Sequence, residues 1–320
     1  MLHSLTNTRR KLARQFKALD HFKEQGWHYP LAAEIDLTWR CALNCKGCHS
    51  KWMHKDIELS FRELDKILGE LKSHGCKSVT WSGGGEPLES PIWEDAVLLA
   101  DTIGFDQGVY TYFPNPTGEK VSFMDCFVSF VYSHPFNTRG IRRQKTEKDT
   151  VWTVGYLLDK DNWMKVPGYI EKTDFNFFDF IDFRPLCPIN HPDAKMLDYS
   201  WVHECMELLE EESLKNEKIK YTDYKFDDLL KPNYGRNYGE CLSTDFWAVV
   251  GPNGDMYQCI NRRNVTVIGN LLKESLEDIW KRKIHKWTDF NGCRILCRNH
   301  EDNKELVYLL GPALKHETFL

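Results

Sequence analysis

Cys41-Ala42-Leu43-Asn44-Cys45-Lys46-Gly47-Cys48 places three thiols within eight residues, just after a run, 31–37, that reads as a β-strand. A loop this short can wrap three thiolates around one face of an iron-sulfur cube and leave the fourth iron without a protein ligand. An open metal position is where chemistry can happen. A structural zinc site prefers two separated cysteine pairs that close four ligands, and the spacing here differs from that pattern. The chain has eleven cysteines. In a reducing compartment such a number points to metal binding or redox chemistry more than to disulfides.

Outward from this loop, short β-rich runs alternate with helical segments. The runs are 31–37, 78–82, 108–113, 126–132, 151–157 and 180–184. A helix is expected over 60–74, where Ser60 and Glu63 form a capping pair and Leu64, Ile67, Leu68 and Leu71 share one face. A second helix is expected over 92–103. Alternating strands and helices imply a parallel sheet with crossover helices, and six strands make an α/β fold of the partial (β/α)6 barrel type. Residues 1–30 read as a charged helical extension ending near Gly26, with Leu12, Phe16, Leu19 and Phe22 at helical spacing. The domain reading is therefore extension 1–30, barrel 31–198, helical linker 199–239 and a small β-hairpin/helix unit 240–320.

The second strand ends in Trp81-Ser82-Gly83-Gly84-Gly85-Glu86-Pro87. Glycines let backbone approach a ligand closely and expose its N–H and C=O groups, although a glycine triplet after a strand is equally a turn. With both motifs in order on adjacent strands, the sequence resembles the radical S-adenosylmethionine superfamily. That resemblance implies a [4Fe-4S] cluster on Cys41, Cys45 and Cys48, with S-adenosylmethionine chelating the open iron and its methionyl amino group held by Gly83, Gly84, Gly85 and Glu86. It implies reductive cleavage to a 5'-deoxyadenosyl radical that abstracts hydrogen from an unactivated carbon. Relatives usually have an aromatic residue before the third cysteine, where this chain has Gly47. Weaker matches are Ser129, near the cofactor's ribose or carboxylate, and Arg184, whose guanidinium could pair with a carboxylate.

A second group, Cys241, Cys259, Cys293 and Cys297, lies in the C-terminal unit around a hairpin turning at Pro252-Asn253-Gly254-Asp255. Four thiolates accept either zinc or a [4Fe-4S] cluster, and spacing alone does not choose. The segment resembles the twitch form of the SPASM-like auxiliary-cluster extension, which implies a second, fully cysteine-ligated [4Fe-4S] cluster. Ile268-Gly269-Asn270-Leu271 and a helix starting after Ser275 belong to the same resemblance. Cys76, Cys126, Cys187 and Cys205 stand outside both groups and read by default as core packing. Cys187 and Cys126, at strand ends, are candidate catalytic hydrogen-atom donors, and His49 is a surface histidine beside the cluster loop.

A formal net charge of -5 argues against a generally basic nucleic-acid binder. No apolar stretch approaches the ~18 residues of a membrane helix, and no signal peptide is visible, so a cytoplasmic location is expected. The expected partners are a small polar metabolite or nucleoside-type substrate and an electron donor such as flavodoxin or ferredoxin. Radical modification of a peptide, or of an aminoacyl-modified base in nucleic acid, is the alternative. A non-catalytic cysteine-rich zinc protein is the rival of another class.

Overall fold

The computed structural model describes residues 11–43, 45, 48, 50–112, 123–131, 148–186, 198–231, 236, 238–283, 290, 293 and 296–311. The first α-helix among the described residues is α1 (Phe16–Gln25), which stops at Gly26 in the left-handed region (φ 76°), followed by β1 (Ala32–Asp36). Next come α2 (Phe61–Ser73), β2 (Ser78–Ser82), α3 (Trp93–Ile103), β3 (Asp106–Thr111), β4 (Cys126–Val131) and β5 (Val151–Leu158). They continue as α4 (Val166–Lys172), β6 (Phe180–Pro185), α5 (Trp201–Lys215), β7 (Ile219–Tyr221) and α6 (Asp223–Leu230). The C-terminal unit contains β8 (Trp247–Val250), β9 (Asp255–Tyr257), β10 (Val267–Asn270), α7 (Leu276–Lys283) and α8 (Asn299–Leu310).

The six expected strands are present and pair in parallel from β1 through β6. A seventh, β7, extends the series on β6, and α6 follows it inside the stretch expected to link two units. The sheet does not stop at β1. Its order is β10-β9-β8-β1-β2-β3-β4-β5-β6-β7, so the C-terminal hairpin continues the barrel sheet. The physical reason is the edge of β1, whose unpaired backbone groups β8 satisfies in parallel, with Glu34 level with Val249.

Period-two alternation assigns the two faces. Ala33, Ile35, Val79, Trp81, Val109, Phe127, Val154, Ile181 and Phe183 join Leu64, Ile67, Leu68 and Leu71 of α2 in one buried core. The residues between them, including Glu34, Asp36, Thr80, Tyr110, Asp182 and Arg184, turn to the opposite, inner face. The helix α1 braces the C-terminal unit, where Ala18, Leu19 and Phe22 pack with Leu242, Phe246 and Leu306.

Local sequence explains the best-defined helix. Ser60 accepts from the Glu63 amide at 3.3 Å while the Glu63 carboxylate accepts from the Ser60 amide at 2.9 Å, a complete capping box. Replacing Ser60 with Ala is expected to cost about 1 kcal/mol in a denaturant titration. A loss well outside that range would show the cap to have a wider structural role.

Candidate active site

Two loops meet at the C-terminal ends of β1 and β2. The first leaves β1 through Trp39 and Arg40 into the three-cysteine segment, and the second is the glycine segment after β2. Arg40 accepts at its carbonyl from the Glu86 amide at 2.9 Å, and the Gly83 carbonyl accepts from the Ser50 hydroxyl at 3.3 Å. A Cβ added at Gly85 would lie 2.2 Å from the Arg40 carbonyl oxygen and 2.6 Å from the Trp39 carbonyl carbon. At Gly84 it would lie 2.5 Å from the Trp39 ring. These glycines therefore serve first to let the second loop seat on the first.

Glu86 is buried and ties its loop to the end of β3. Its carboxylate accepts from the Thr111 hydroxyl at 2.5 Å, the Tyr112 amide at 2.9 Å and the Leu88 amide at 3.2 Å. Burial nevertheless pushes its pKa upward. Glu89 accepts at both oxygens, 3.1 Å each, from the Ala42 amide beside Cys41. The second loop thus grips the cysteine loop from two sides.

Cys41, Cys45 and Cys48 are close enough for their charges to interact in sequence, Cys41 with Cys45 and Cys45 with Cys48. Burial lifts the Cys41 thiol to about 11, with the Glu89 and Glu86 carboxylates adding to it. The protonated form prevails until an iron centre displaces the proton, and the donor set of three thiolates in one loop fits a cluster with one open iron. Among the described residues, no three His, Cys, Asp or Glu side chains close around a single metal ion. A cube distributes its thiolates over separate irons.

Beneath these loops the inner face carries a charge cluster that sequence reasoning missed. Arg263 donates to Glu34 Oε1 at 2.6 Å and lies 3.1 Å from Asp36 Oδ2, and Arg298 donates to Glu34 Oε2 at 2.7 Å. Burial alone would raise the Glu34 pKa, but the Arg298 and Arg263 guanidiniums outweigh it and hold the group down to about 2. Asp36 is the opposite case. Burial drives it up to about 6 against the pull of Arg263, with Glu34 adding repulsion. Its contribution to stability is full below the ordinary carboxylate range and is lost as pH rises through about 6. Asp36 Oδ2 accepts from the Gly84 amide and the Trp39 indole, each at 3.1 Å, and so joins the charge cluster to both loops. Across the inner face Arg184 pairs with Asp182 at 2.8 Å, and both act electrostatically on Tyr110, as do Arg298 and Glu34. A signal for the cluster was available: two acids at alternate positions in the otherwise apolar 31–37.

The C-terminal cysteines also gather. Cys259 interacts electrostatically with Cys241 and Cys293, and Cys297 with Cys241 and Cys259. Burial pushes Cys259 to about 11 and Cys297 to about 12, and the Arg236 guanidinium opposes the shift at Cys297. Four thiolates in one partly buried group match the ligand set of a closed cluster.

The remaining candidates are distributed. Cys126 opens β4 in register with Gly108, on the row that runs through Thr80 to Glu34 of the inner face. The backbone of Ser129 pairs in register with Thr111 and Val154. Cys76 and Cys205 are buried in the main core. Gly47, His49 and Cys187 lie outside the described residues.

A family model described as an iron-sulfur cluster-binding domain, SPASM, matches residues 241–305. A segment of 61 residues is 38% identical to 7-carboxy-7-deazaguanine synthase of Clostridium acetobutylicum, and covers 19% of this chain and 28% of that protein. The match therefore spans under a third of the relative's length. The fold is similar to Streptococcus suis SuiB bound to precursor peptide SuiA, with TM-score 0.61 and 16% identity over 87% of this chain and 70% of that one. It is also similar to native anSMEcpe with bound AdoMet and Kp18Cys peptide, with TM-score 0.57 and 13% identity over 87% and 83% of the two chains. These findings bear out the resemblance: the family model places an iron-sulfur cluster-binding domain in the C-terminal segment, and the fold is shared with SuiB and with anSMEcpe, the latter solved with AdoMet bound. No described helix is long and apolar enough to cross a membrane.

Two substitutions test the packing. Gly85→Ala is expected to cost about 1–3 kcal/mol in denaturation of the reconstituted protein, because backbone must move. Gly69→Ala, in α2 with open space at its Cβ, is expected to be neutral or stabilising by up to about 1 kcal/mol. Glu34→Gln removes the anion shared by two guanidiniums, leaving Arg263 with Asp36 and Arg298 without its ion pair, and is expected to cost about 3–5 kcal/mol by the same measurement. A loss below about 1 kcal/mol would mean that the cluster is solvated.

Proposed function

We propose that the chain cleaves S-adenosylmethionine reductively and uses the resulting 5'-deoxyadenosyl radical to abstract hydrogen from an unactivated carbon, leading to oxidation or rearrangement. The observation that carries this reading is the seating of the glycine loop on the three-cysteine loop, both placed at the C-terminal ends of β1 and β2. In this reading Cys41, Cys45 and Cys48 hold a cluster that supplies one electron and an open iron for the sulfonium compound. The Gly83–Gly85 backbone orients the methionyl end. Gly84 itself is fixed through its amide by Asp36, and Glu86 keeps the loop in place without reaching outward.

Cys241, Cys259, Cys293 and Cys297 hold a second, closed cluster in the same reading. A cluster with four cysteine ligands cannot take substrate without losing one, so its role is electron transfer. An external donor of the flavodoxin or ferredoxin class would supply reducing equivalents.

For the substrate, the inner face supports a small polar metabolite or nucleoside-type compound. Glu34, Asp36, Asp182, Arg184, Arg263 and Arg298 give that face both signs of charge, which suits a compact molecule with donors, acceptors and a carboxylate. Arg184 is the residue we assign to an anionic group of substrate or cofactor. Cys126, on the same face, is the thiol this reading would use to return a hydrogen atom. A second reading, a peptide substrate, is favoured by the fold shared with SuiB bound to SuiA and with anSMEcpe bound to a Cys peptide.

Anaerobic incubation of the reconstituted protein with reductant and S-adenosylmethionine is expected to release 5'-deoxyadenosine. The Cys41→Ala, Cys45→Ala, Cys48→Ala variant is expected to release none. Stoichiometric zinc without iron in the anaerobically purified protein, or no 5'-deoxyadenosine with its iron restored, would overturn the reading. Added nucleosides, amino acids and cysteine-containing peptides that accelerate the release would separate the two substrate classes.

A further inference from the structure

Asn303 lies on α8, fully buried, with its carboxamide against the second cysteine group. Its Oδ1 accepts from the Ser243 backbone amide at 2.9 Å. A backbone N–H can only donate, so this bond fixes which end of the carboxamide is oxygen and turns Nδ2 toward Cys241. Nδ2 lies 2.8 Å from the Asn299 carbonyl, 3.3 Å from Cys241 Sγ and 3.3 Å from Ser243 Oγ. One amide hydrogen serves the carbonyl, and the other is left for the sulfur and the hydroxyl beside it.

We propose that Asn303 sets the reduction potential of the second cluster by donating a hydrogen bond to the sulfur of Cys241. The inference rests on the assignment of Cys241 to that cluster. One-electron reduction adds negative charge that is shared by the thiolate sulfurs, and an N–H dipole aimed at one of them favours the reduced state. The dipole acts with little screening, because the carboxamide is buried and locked at both ends. Asn303 therefore raises the potential and makes the cluster a better acceptor of an electron leaving the substrate site. Nothing in the local sequence marks this residue, which is six positions past Cys297 and sixty-two past Cys241.

The test uses the full chain carrying Cys41→Ala, Cys45→Ala and Cys48→Ala, so that the second cluster alone contributes to the electron paramagnetic resonance spectrum. Anaerobic reconstitution is expected to give about four iron per chain, and a redox titration followed by that spectrum gives the midpoint. Asn303→Asp keeps the acceptor for the Ser243 amide and replaces the donor with an oxygen, whereas Asn303→Leu removes both. Both midpoints are expected to shift to more negative values, further for Asn303→Asp because of its charge. An unchanged midpoint, or a positive shift, would overturn the proposal. Should neither variant assemble a cluster, the unsubstituted Asn303 decides the matter: side-chain 15N labelling of asparagine must add a 15N coupling to the reduced cluster, and its absence sinks the proposal. A parent chain that binds no second cluster at all would instead remove the reading on which the inference rests.

Discussion

An ionised carboxylate in the middle of a central strand is the constraint around which this molecule is arranged. Glu34 is fully buried on β1, and isolated it would surrender its charge or unfold the strand. Arg263 and Arg298 keep it ionised, and both come from the C-terminal unit, 229 and 264 positions away in sequence. The barrel strand that launches the cysteine loop is thus electrostatically incomplete without the unit that carries the second cysteine group. The parallel pairing of β8 with β1 is the backbone counterpart of the same dependence.

This arrangement explains why two loops with separate sequence signatures act as one structure. Asp36 accepts from Gly84 and Trp39, one donor from each loop, while Arg263 lies against its carboxylate. Arg263 is only four residues beyond Cys259. Four residues of chain from Cys259 to Arg263, and then the contacts of Arg263 with Asp36 and of Asp36 with Gly84, therefore lead from the second cysteine group to the glycine loop.

Much of the architecture was legible because its causes are local. The strand over 78–82 matched residue for residue, and the helix beginning after Ser60 announced itself through cap and periodicity. The hairpin at Gly254 followed from a turn that requires positive φ, here 79°. What was not legible depends on distant partners. A β8 strand of four residues carries no sign that it will pair with β1, and Arg263 and Arg298 look like surface residues until the fold buries them. The glycine triplet shows the limit most clearly. Its sequence supports a ligand-binding reading and a turn reading, and the structure adds a third, close seating on Trp39 and Arg40, that neither contained.

The two faces of the sheet divide the work. Apolar side chains on the helical face supply the burial that holds the strands in register. The inner face is thereby free to hold groups that cost stability, such as Asp36 with its carboxyl raised to about 6 and paired acids and guanidiniums with few alternatives to one another. The polar face therefore gathers the perturbed charged groups of the sheet directly beneath the cysteine and glycine loops, where Asp36 accepts from both Trp39 and Gly84.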